Sequence, residues 1–297
     1  MNSNNTIRKI IHKHCITAVC LLLCSTTPAS ADIAFKASPV PGGVAVIDLG
    51  DSAEPRPVAR FGSKRAMVID QDGRWKALVG LSLTMLPGSK IISVQNAEKS
   101  REEMVSFQVK PKNYPEQRIK IKETKYVSPD KEQLARINKE SGHIGDQFRI
   151  WRDVSGIPLL FDWPVDGRLS SPFGLKRFFN DKPRKPHSGI DIAAPEGTDI
   201  LMPLSGVVTD TGNYYFNGNT VFLDHGQGMI SMFCHMSKIS VKEGESLARG
   251  QKVGEVGMTG RVTGPHLHWS LSLNQNRVDP MLFLPERKSE EKATSSK

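Results

Sequence analysis

Short apolar runs at about ten-residue spacing, turn pairs between them, and a glycine-rich second half with further strand-like runs predict a mostly β protein. The expected layout is an N-terminal β-sandwich-like domain and a C-terminal β-sheet domain, joined by one short polar helix. Residues 1–31 read as a cleaved export signal, 32–125 as the accessory β domain and 126–158 as the helical spacer. Residues 159–285 form the second β domain, and 286–297 a charged tail expected to be disordered.

The first element is an address. Arg8, Lys9 and Lys13 precede the apolar run Cys15–Cys24, and Ala29-Ser30-Ala31 supplies the small residues that a signal peptidase reads. The run holds about half of the ~20 apolar residues that a membrane span needs. No membrane anchor is therefore expected after cleavage, and the mature chain is placed in the periplasm or outside the cell. Leu23 stands where a lipoprotein needs a small residue before Cys24. With the signal gone, Cys234 is the one remaining cysteine, and its apolar neighbours mark it as a buried packing residue.

Strands are expected at Val44 to Leu49, Ala66 to Ile69, Lys76 to Thr84, Lys90 to Val94 and Met104 to Val109, with turns at Asp72-Gly73 and Pro87-Gly88. No His or Cys occurs between Asp32 and Gly142, so this part lacks the usual ligands of a transition-metal site. Lys and Arg number 40 against 31 Asp and Glu, a formal net charge of +9. No nucleic-acid motif accompanies that charge, which suits instead a polyanionic surface such as a cell wall.

Ser128-Pro129-Asp130 reads as a helix start, with Ser128 as N-cap, and Gly142 as a left-handed stop. His143 is expected at the surface. Beyond Phe161, strands are expected at Asp199 to Leu201, Gly206 to Thr209, Asn219 to Asp224, Met229 to His235, Lys252 to Val256 and Leu267 to Leu273. His225-Gly226-Gln227-Gly228 closes a hairpin, and His225 is expected at its surface.

Five of the eight histidines lie between residues 187 and 268. His187-Ser188-Gly189-Ile190-Asp191 is an H-x-x-x-D element, His235 ends a strand, and His266-Leu267-His268 is an H-x-H element. Alternation along a strand puts His266, His268, Ser270 and Ser272 on one face and Leu267, Trp269, Leu271 and Leu273 on the other. The apolar face has a core to enter, and the histidines face a cleft together. Two residues apart on a strand, they stand about 6.7 Å apart, so one can ligate an ion while its neighbour reaches water on that ion. Imidazoles with one carboxylate suit zinc, and a catalytic zinc takes three protein ligands and leaves one position open. His187, Asp191 and one member of the H-x-H pair complete that set, with histidines left over for hydrolysis.

HSGID, FCHMS and GPHLHW, in this order, resemble the lysostaphin-type or LytM-domain zinc metallopeptidases. SSPFGLKR, IDIAAPEGTDI, NGNTVFLDHG and the RVDP motif at Arg277 extend the resemblance over about residues 160 to 285. The two-domain exported layout is similar to Gram-negative members. The resemblance implies an antiparallel β-sheet peptidase domain with a narrow groove, one Zn²⁺ per chain, and cleavage of peptide bonds in peptidoglycan, notably D-Ala–meso-diaminopimelate cross-links. It makes His187, Asp191 and His268 the zinc ligands and His235 and His266 the catalytic pair. Where Gram-positive members carry a Tyr shortly before the first ligand this chain has Phe178 and Phe179, so a hydroxyl-based oxyanion helper is unsupported and Arg177 is a candidate replacement. Two rival readings share the motif: a non-catalytic LytM-type regulator of amidases, and a secreted bacteriolytic protease cutting glycine-rich bridges. Peptidoglycan is the expected partner, nucleic acid is not, and protein regulators are further candidates.

Overall fold

A computed structural model of the chain describes residues 35–98, 100–119, 130–179, 182–183 and 185–287. The export signal, the helix start at Ser128 and nearly all of the charged tail lie outside the described residues.

Six antiparallel strands build the N-terminal part: β1 (Val44–Asp51), β2 (Val58–Phe61), β3 (Lys64–Gln71), β4 (Arg74–Gly80), β5 (Gly88–Gln95) and β6 (Glu102–Val109). They follow one hydrogen-bonded path, β1-β4-β3-β2-β5-β6. β3 is the hinge of that path. Its first residues, Lys64 to Ala66, pair with β2, and Met67 to Gln71 pair with β4. The sandwich-like layout thus arises by folding one sheet over.

Why VAVI and AMVI are continuous apolar runs is now plain. Ala45, Ile47, Val68, Ala77 and Val79 face the N-terminal core, whereas Val44, Met67, Ile69 and Leu78 join the core of the second half. A strand covered on both faces loses its polar alternation. β2 was not expected because Pro55 and Pro57 precede it. β4 ends at Gly80, not Thr84: a Cβ there would meet the Leu273 carbonyl oxygen at 2.7 Å. Gly80 N–H donates to Asn274 Oδ1 at 2.6 Å, and its carbonyl accepts from Asn274 Nδ2 and Asn276 Nδ2 at 3.1 and 2.8 Å.

After a short strand β7 (Glu116–Ile119) comes the helix α1 (Lys131–Gln147). Its N-cap is Asp130, locked in a reciprocal box with Gln133. The helix runs through Gly142 instead of stopping there and ends on Phe148. It is docked along its length. Arg136 donates to the Asn213 carbonyl at 3.1 Å, the Tyr215 N–H donates to Glu140 Oε2 at 2.8 Å, and exposed His143 lies 3.3 Å from Asp210. Ile144, Phe148 and Ile150 join Phe222, Ile230, Met232 and Cys234 in a separate apolar cluster. Cys234 is buried there as expected, and burial pushes its thiol up to about 12.

The second half continues with β8 (Arg168–Ser171), β9 (Lys176–Phe179), β10 (Lys182–Pro183), β11 (Ile190–Ala193), β12 (Asp199–Leu201), β13 (Gly206–Tyr214) and β14 (Gly218–Gly226). Then come β15 (Met229–Met236), β16 (Lys238–Ile239), β17 (Ser246–Leu247), β18 (Lys252–Glu255), β19 (His266–Leu273), β20 (Asn276–Val278) and a 3-10 turn at Pro280–Phe283. The main sheet runs β17-β13-β14-β15-β19-β11-β8, with β20 beside β19. Small sheets β12-β18-β16 and β10-β9-β7 flank it; β7 and β9 are parallel.

The N-terminal sheet docks at one end of this main sheet. Asn274 and Asn276 hold Gly80, and Gln227 Oε1, from the β14–β15 turn, accepts from the Val68 N–H at 2.9 Å. That end of β19 is seven residues, roughly 23 Å, from His266. The histidine end is remote from this docking surface.

His225 corrects the sequence reading. It is buried, not superficial, edge-on to Phe161 at 5.1 Å. Trp269 Nε1–H donates to Ser231 Oγ at 3.1 Å, so that hydroxyl is free to donate to His225 Nε2 at 2.8 Å, and Nδ1–H faces the Ser205 carbonyl at 3.2 Å. Burial lowers the imidazole pKa to about 4. Between its ordinary value near 6.5 and about 4, the unfolded chain binds this proton and the folded chain does not, so stability falls as pH falls through that window. The stability advantage of the native chain over His225→Asn should therefore be largest above pH 6.5 and shrink toward pH 4. Urea midpoints at several pH values read this directly; a constant difference refutes it.

Candidate active site

Asp191 on β11 pairs in register with His268 on β19, and Ala193 pairs with His266. The pairing brings the H-x-x-x-D and H-x-H elements together. His187 reaches the same point from the segment before β11, and Gly189 permits it. A Cβ at Gly189 would meet the Trp269 carbonyl oxygen at 2.4 Å and the His268 ring at 2.8 Å.

Three acceptor atoms converge. His187 Nε2 lies 2.9 Å from Asp191 Oδ1 and 3.0 Å from His268 Nδ1, and His268 Nδ1 lies 2.8 Å from Asp191 Oδ1. Their neighbours set which ring nitrogen is bare. His187 Nδ1–H donates to the Pro172 carbonyl at 2.9 Å, leaving Nε2 without a proton. Ser270 donates its hydroxyl proton to the Ser188 carbonyl at 2.9 Å, so its oxygen can only accept from His268 Nε2–H, also at 2.9 Å. His268 Nδ1 is thereby bare. Lone pairs so close repel unless a cation or proton lies among them. Tetrahedral coordination with ~2.0–2.1 Å bonds needs donor separations of about 3.3 Å, close to those present. His187, Asp191 and His268 could thus hold a metal ion, and they form a three-residue donor group among the described residues. If a proton rather than a cation lies among these atoms, burial raises the Asp191 carboxyl but hydrogen bonds from protonated His187 and His268 outweigh it and hold the group well below the usual carboxylate range.

His235 and His266 flank this group. His235 lies 4.9 Å from His266 and 6.0 Å from His268, ring centre to ring centre. His266 Nε2 is 3.8 Å from Asp191 Oδ1. The Nδ1–H of His235 donates to the Thr259 carbonyl and that of His266 to the Gly264 carbonyl, each at 2.9 Å. Both Nε2 atoms are bare, and one loop, Thr259 to Gly264, holds both rings. Burial, with His268 and His266 beside it, lowers the His235 pKa to about 3.

The backbone at His235 is unusual. In the β15–β19 register Phe233 pairs with Trp269 on the core side and Cys234 with His268. Regular alternation would send His235 toward the core with Phe233. A left-handed backbone, φ 65°, turns it out of that alternation. Such conformations cost about 1–3 kcal/mol for a non-glycine residue and cluster at functional sites.

All five sequence-predicted site residues meet here. Sequence reasoning did not identify Ser270, although it shares the His268 face at i+2, nor Ser171. The Thr259 and Gly264 carbonyls leave no side-chain signature to find. Arg177 proves to touch Ser171 and Asp191.

Comparison with known proteins extends this geometry. Residues 185–280 match the model for peptidase family M23, and residues 37–112 match that for the peptidase family M23 N-terminal domain. A crystal structure from Pseudomonas aeruginosa assigned as a candidate peptidase M23 is 44% identical, with a TM-score of 0.70, over 84% of this chain and 96% of that one. The chain belongs to peptidase family M23. Other relatives match a shorter stretch of the chain. The peptidoglycan DD-endopeptidase ShyA of Vibrio cholerae is 43% identical over 122 residues, which is 40% of this chain and 28% of that protein. The DD-carboxypeptidase/endopeptidase Mpg of Neisseria meningitidis is 39% identical over 129 residues, 42% of this chain and 30% of that protein. The chain thus matches less than a third of these two M23 relatives' own length.

Ser270 offers a test of the tautomer argument. Ser270→Ala removes the acceptor for His268 Nε2–H and frees the ring to change tautomer. Loss of such an orienting partner costs about 10–100-fold in metal affinity. Competition with a chromophoric chelator should show added Zn²⁺ bound more weakly by that factor; unchanged affinity refutes the assignment.

Proposed function

We propose that this chain is a zinc-dependent endopeptidase that hydrolyses stem-peptide cross-links of peptidoglycan in the periplasm. The observation that carries the reading is the convergence of His187 Nε2, Asp191 Oδ1 and His268 Nδ1 within 3.0 Å, beside two further imidazoles with bare Nε2 atoms. Two imidazoles and one carboxylate are the donor set of a catalytic zinc, with a position left for water or substrate. When bound, zinc supplies Lewis-acid polarisation of a carbonyl and lowers the pKa of a water from ~15.7 toward ~7.

The protein residues do the rest. His187, Asp191 and His268 hold the ion, and their outer hydrogen bonds fix the presented atoms. Thr259 and Gly264 aim the bare Nε2 of His235 and of His266 inward. Burial keeps the His235 ring neutral at working pH, so its Nε2 lone pair is open as an acceptor. One of the pair accepts a proton from the attacking water, while the other stabilises charge on the carbonyl oxygen or returns a proton to the leaving amine. The Vibrio relative, a peptidoglycan DD-endopeptidase, and the Neisseria relative, a DD-carboxypeptidase/endopeptidase, support peptidoglycan as the substrate and a DD-peptide bond as the target. The expected export signal supports the periplasm. A complete donor set favours an enzyme over a non-catalytic regulator.

Metal binding and chemistry should separate by mutation. His268→Ala leaves two donors and should lose both zinc and cleavage of purified sacculi, with the fold kept by Leu267, Trp269 and Leu271. His266→Ala and His235→Ala should each retain zinc yet lose about 10²–10⁴-fold in rate, the usual worth of general acid–base help. Full zinc occupancy in folded His268→Ala, or losses below about tenfold in the other two, would overturn the roles. Meso-diaminopimelate sacculi beside pentaglycine-bridged walls, with product masses, distinguish the cross-link from a glycine bridge.

A further inference from the structure

Arg177 lies on β9, outside the main sheet, yet it reaches the donor group. Its Nη2 donates to Ser171 Oγ at 2.8 Å and lies 3.5 Å from Asp191 Oδ2. Ser171 is buried and pairs with Asp191 across β8–β11, and its Oγ is also 3.3 Å from His187 Nδ1. The guanidinium therefore touches one of the three donors, Asp191, and reaches a second, His187, through Ser171. It contacts Oδ2, the carboxylate oxygen outside the converging group, while Oδ1 faces His187 and His268. Its Nε is buried without an acceptor, so this placement does not serve to satisfy the arginine's own hydrogen bonds.

What puts Arg177 there is the chain before α1. β7 pairs with β9 in parallel, Gln117 opposite Arg177, and the Lys176 N–H donates to the Pro115 carbonyl at 2.9 Å. Tyr114 anchors this strap. Its hydroxyl donates to the Pro41 carbonyl at 2.7 Å, and its ring closes against Gly174, where a Cβ would lie 2.1 Å from it. A segment from the N-terminal half thus sets the position of a cation at the metal-ligating carboxylate.

We propose that Arg177 is a positioning residue for the metal centre: it holds Asp191 Oδ2 and Ser171 Oγ so that Oδ1 alone is presented as a donor, and the β7–β9 pairing sets its place. The inference rests on the metal-site reading above. Charge and orientation pull in opposite directions, which makes the test decisive. A cation near the site repels a second cation, so if Arg177 acted by charge alone, removing it would tighten metal binding. As a positioning group, its removal weakens binding by about 10–100-fold.

The experiment measures the Zn²⁺ dissociation constant of the full chain by chelator competition, with the visible spectrum of the Co²⁺-substituted protein as a second readout. Arg177→Met should bind Zn²⁺ about 10–100-fold more weakly and give an altered Co²⁺ spectrum as Asp191 reorients. Arg177→Lys, which keeps the charge and one reaching donor, should recover part of both. Gln117→Pro, which disturbs the strap without touching the site, should shift both in the direction of Arg177→Met. Equal or tighter Zn²⁺ binding by Arg177→Met, with an unchanged Co²⁺ spectrum, overturns the proposal, and an accompanying rate loss would make Arg177 a substrate contact instead. If Arg177→Met does not fold, unchanged metal affinity in folded Arg177→Lys and Gln117→Pro overturns it equally. A native chain that binds no Zn²⁺ refutes the metal-site reading itself, a result distinct from any of these.

Discussion

Three lone pairs that repel one another are held within 3.0 Å at Asp191 Oδ1, His187 Nε2 and His268 Nδ1, and much of the surrounding architecture exists to hold them. The β11–β19 register sets Asp191 against His268. Gly189 lets the segment carrying His187 pass over the Trp269 backbone at a distance no side chain would allow. Pro172 and Ser270 each accept one N–H and so decide which nitrogen is left bare. A buried carboxylate without partners would gain a proton. Here Arg177 Nη2 lies 3.5 Å from Asp191 Oδ2, and the carboxylate adds its charge to two bare imidazole nitrogens, so the group is an anionic cradle suited to a cation.

That cradle must be stiff, and stiffness comes from burial on both sides of the main sheet. Leu267, Trp269 and Leu271 enter the core that also takes Phe161, Phe233 and Phe283. The other face of β14 and β15 is closed by the end of α1 through Phe148 and Ile144. Some polar residues inside are paired as well. Ser231 serves Trp269 and His225 at once, a three-member network that fixes the β15–β19 contact well away from the histidines. Because these strands are anchored along their length, a small displacement at one end is resisted at the other.

The sequence made the five site residues legible because each is a metal-competent side chain in a short motif, and period-two alternation on β19 separates His266 and His268 from Leu267 and Trp269. Strands with strong apolar runs were legible for the same reason. The weak strands β7, β9 and β10 were not, since EQRI, KRFF and KP carry no periodic apolar face and owe their pairing to tertiary context. The helix was legible but its limits were not: Asp130 and Gln133 form the cap, and Gly142 stays helical because Ile144 and Phe148 gain burial by extending it. His225 was misread because a polar turn residue usually faces solvent, and its partners Ser231 and Ser205 are distant in the chain or offer only a carbonyl. His235 lies beside the other four motif residues, but its left-handed backbone contradicts the alternation that placed its neighbours.

The strands β15 and β19 do two jobs at opposite ends. At one end they carry His235, His266 and His268; at the other, the turns that follow or precede them hold the N-terminal sheet through Gln227 and Asn274. Both Gln227 and Asn274 adopt left-handed backbone, φ 47° and 40°, so the tight turns present their side chains to Val68 and Gly80 at some conformational cost. A cost accepted twice at one interface argues that the docking is specific. The six-stranded sheet therefore contributes to the site by bracing the strands from behind. The Tyr114–Ile119 strap also carries the N-terminal half to the histidine end, and it arrives as a strand paired with β9, beside Arg177. Among the described residues, two routes by which the N-terminal half can act on the site are the largely buried strands β15 and β19 and that strap. Of the two routes, the strap is the one held by few hydrogen bonds at a sheet edge, and thus the one that can change without unfolding the core.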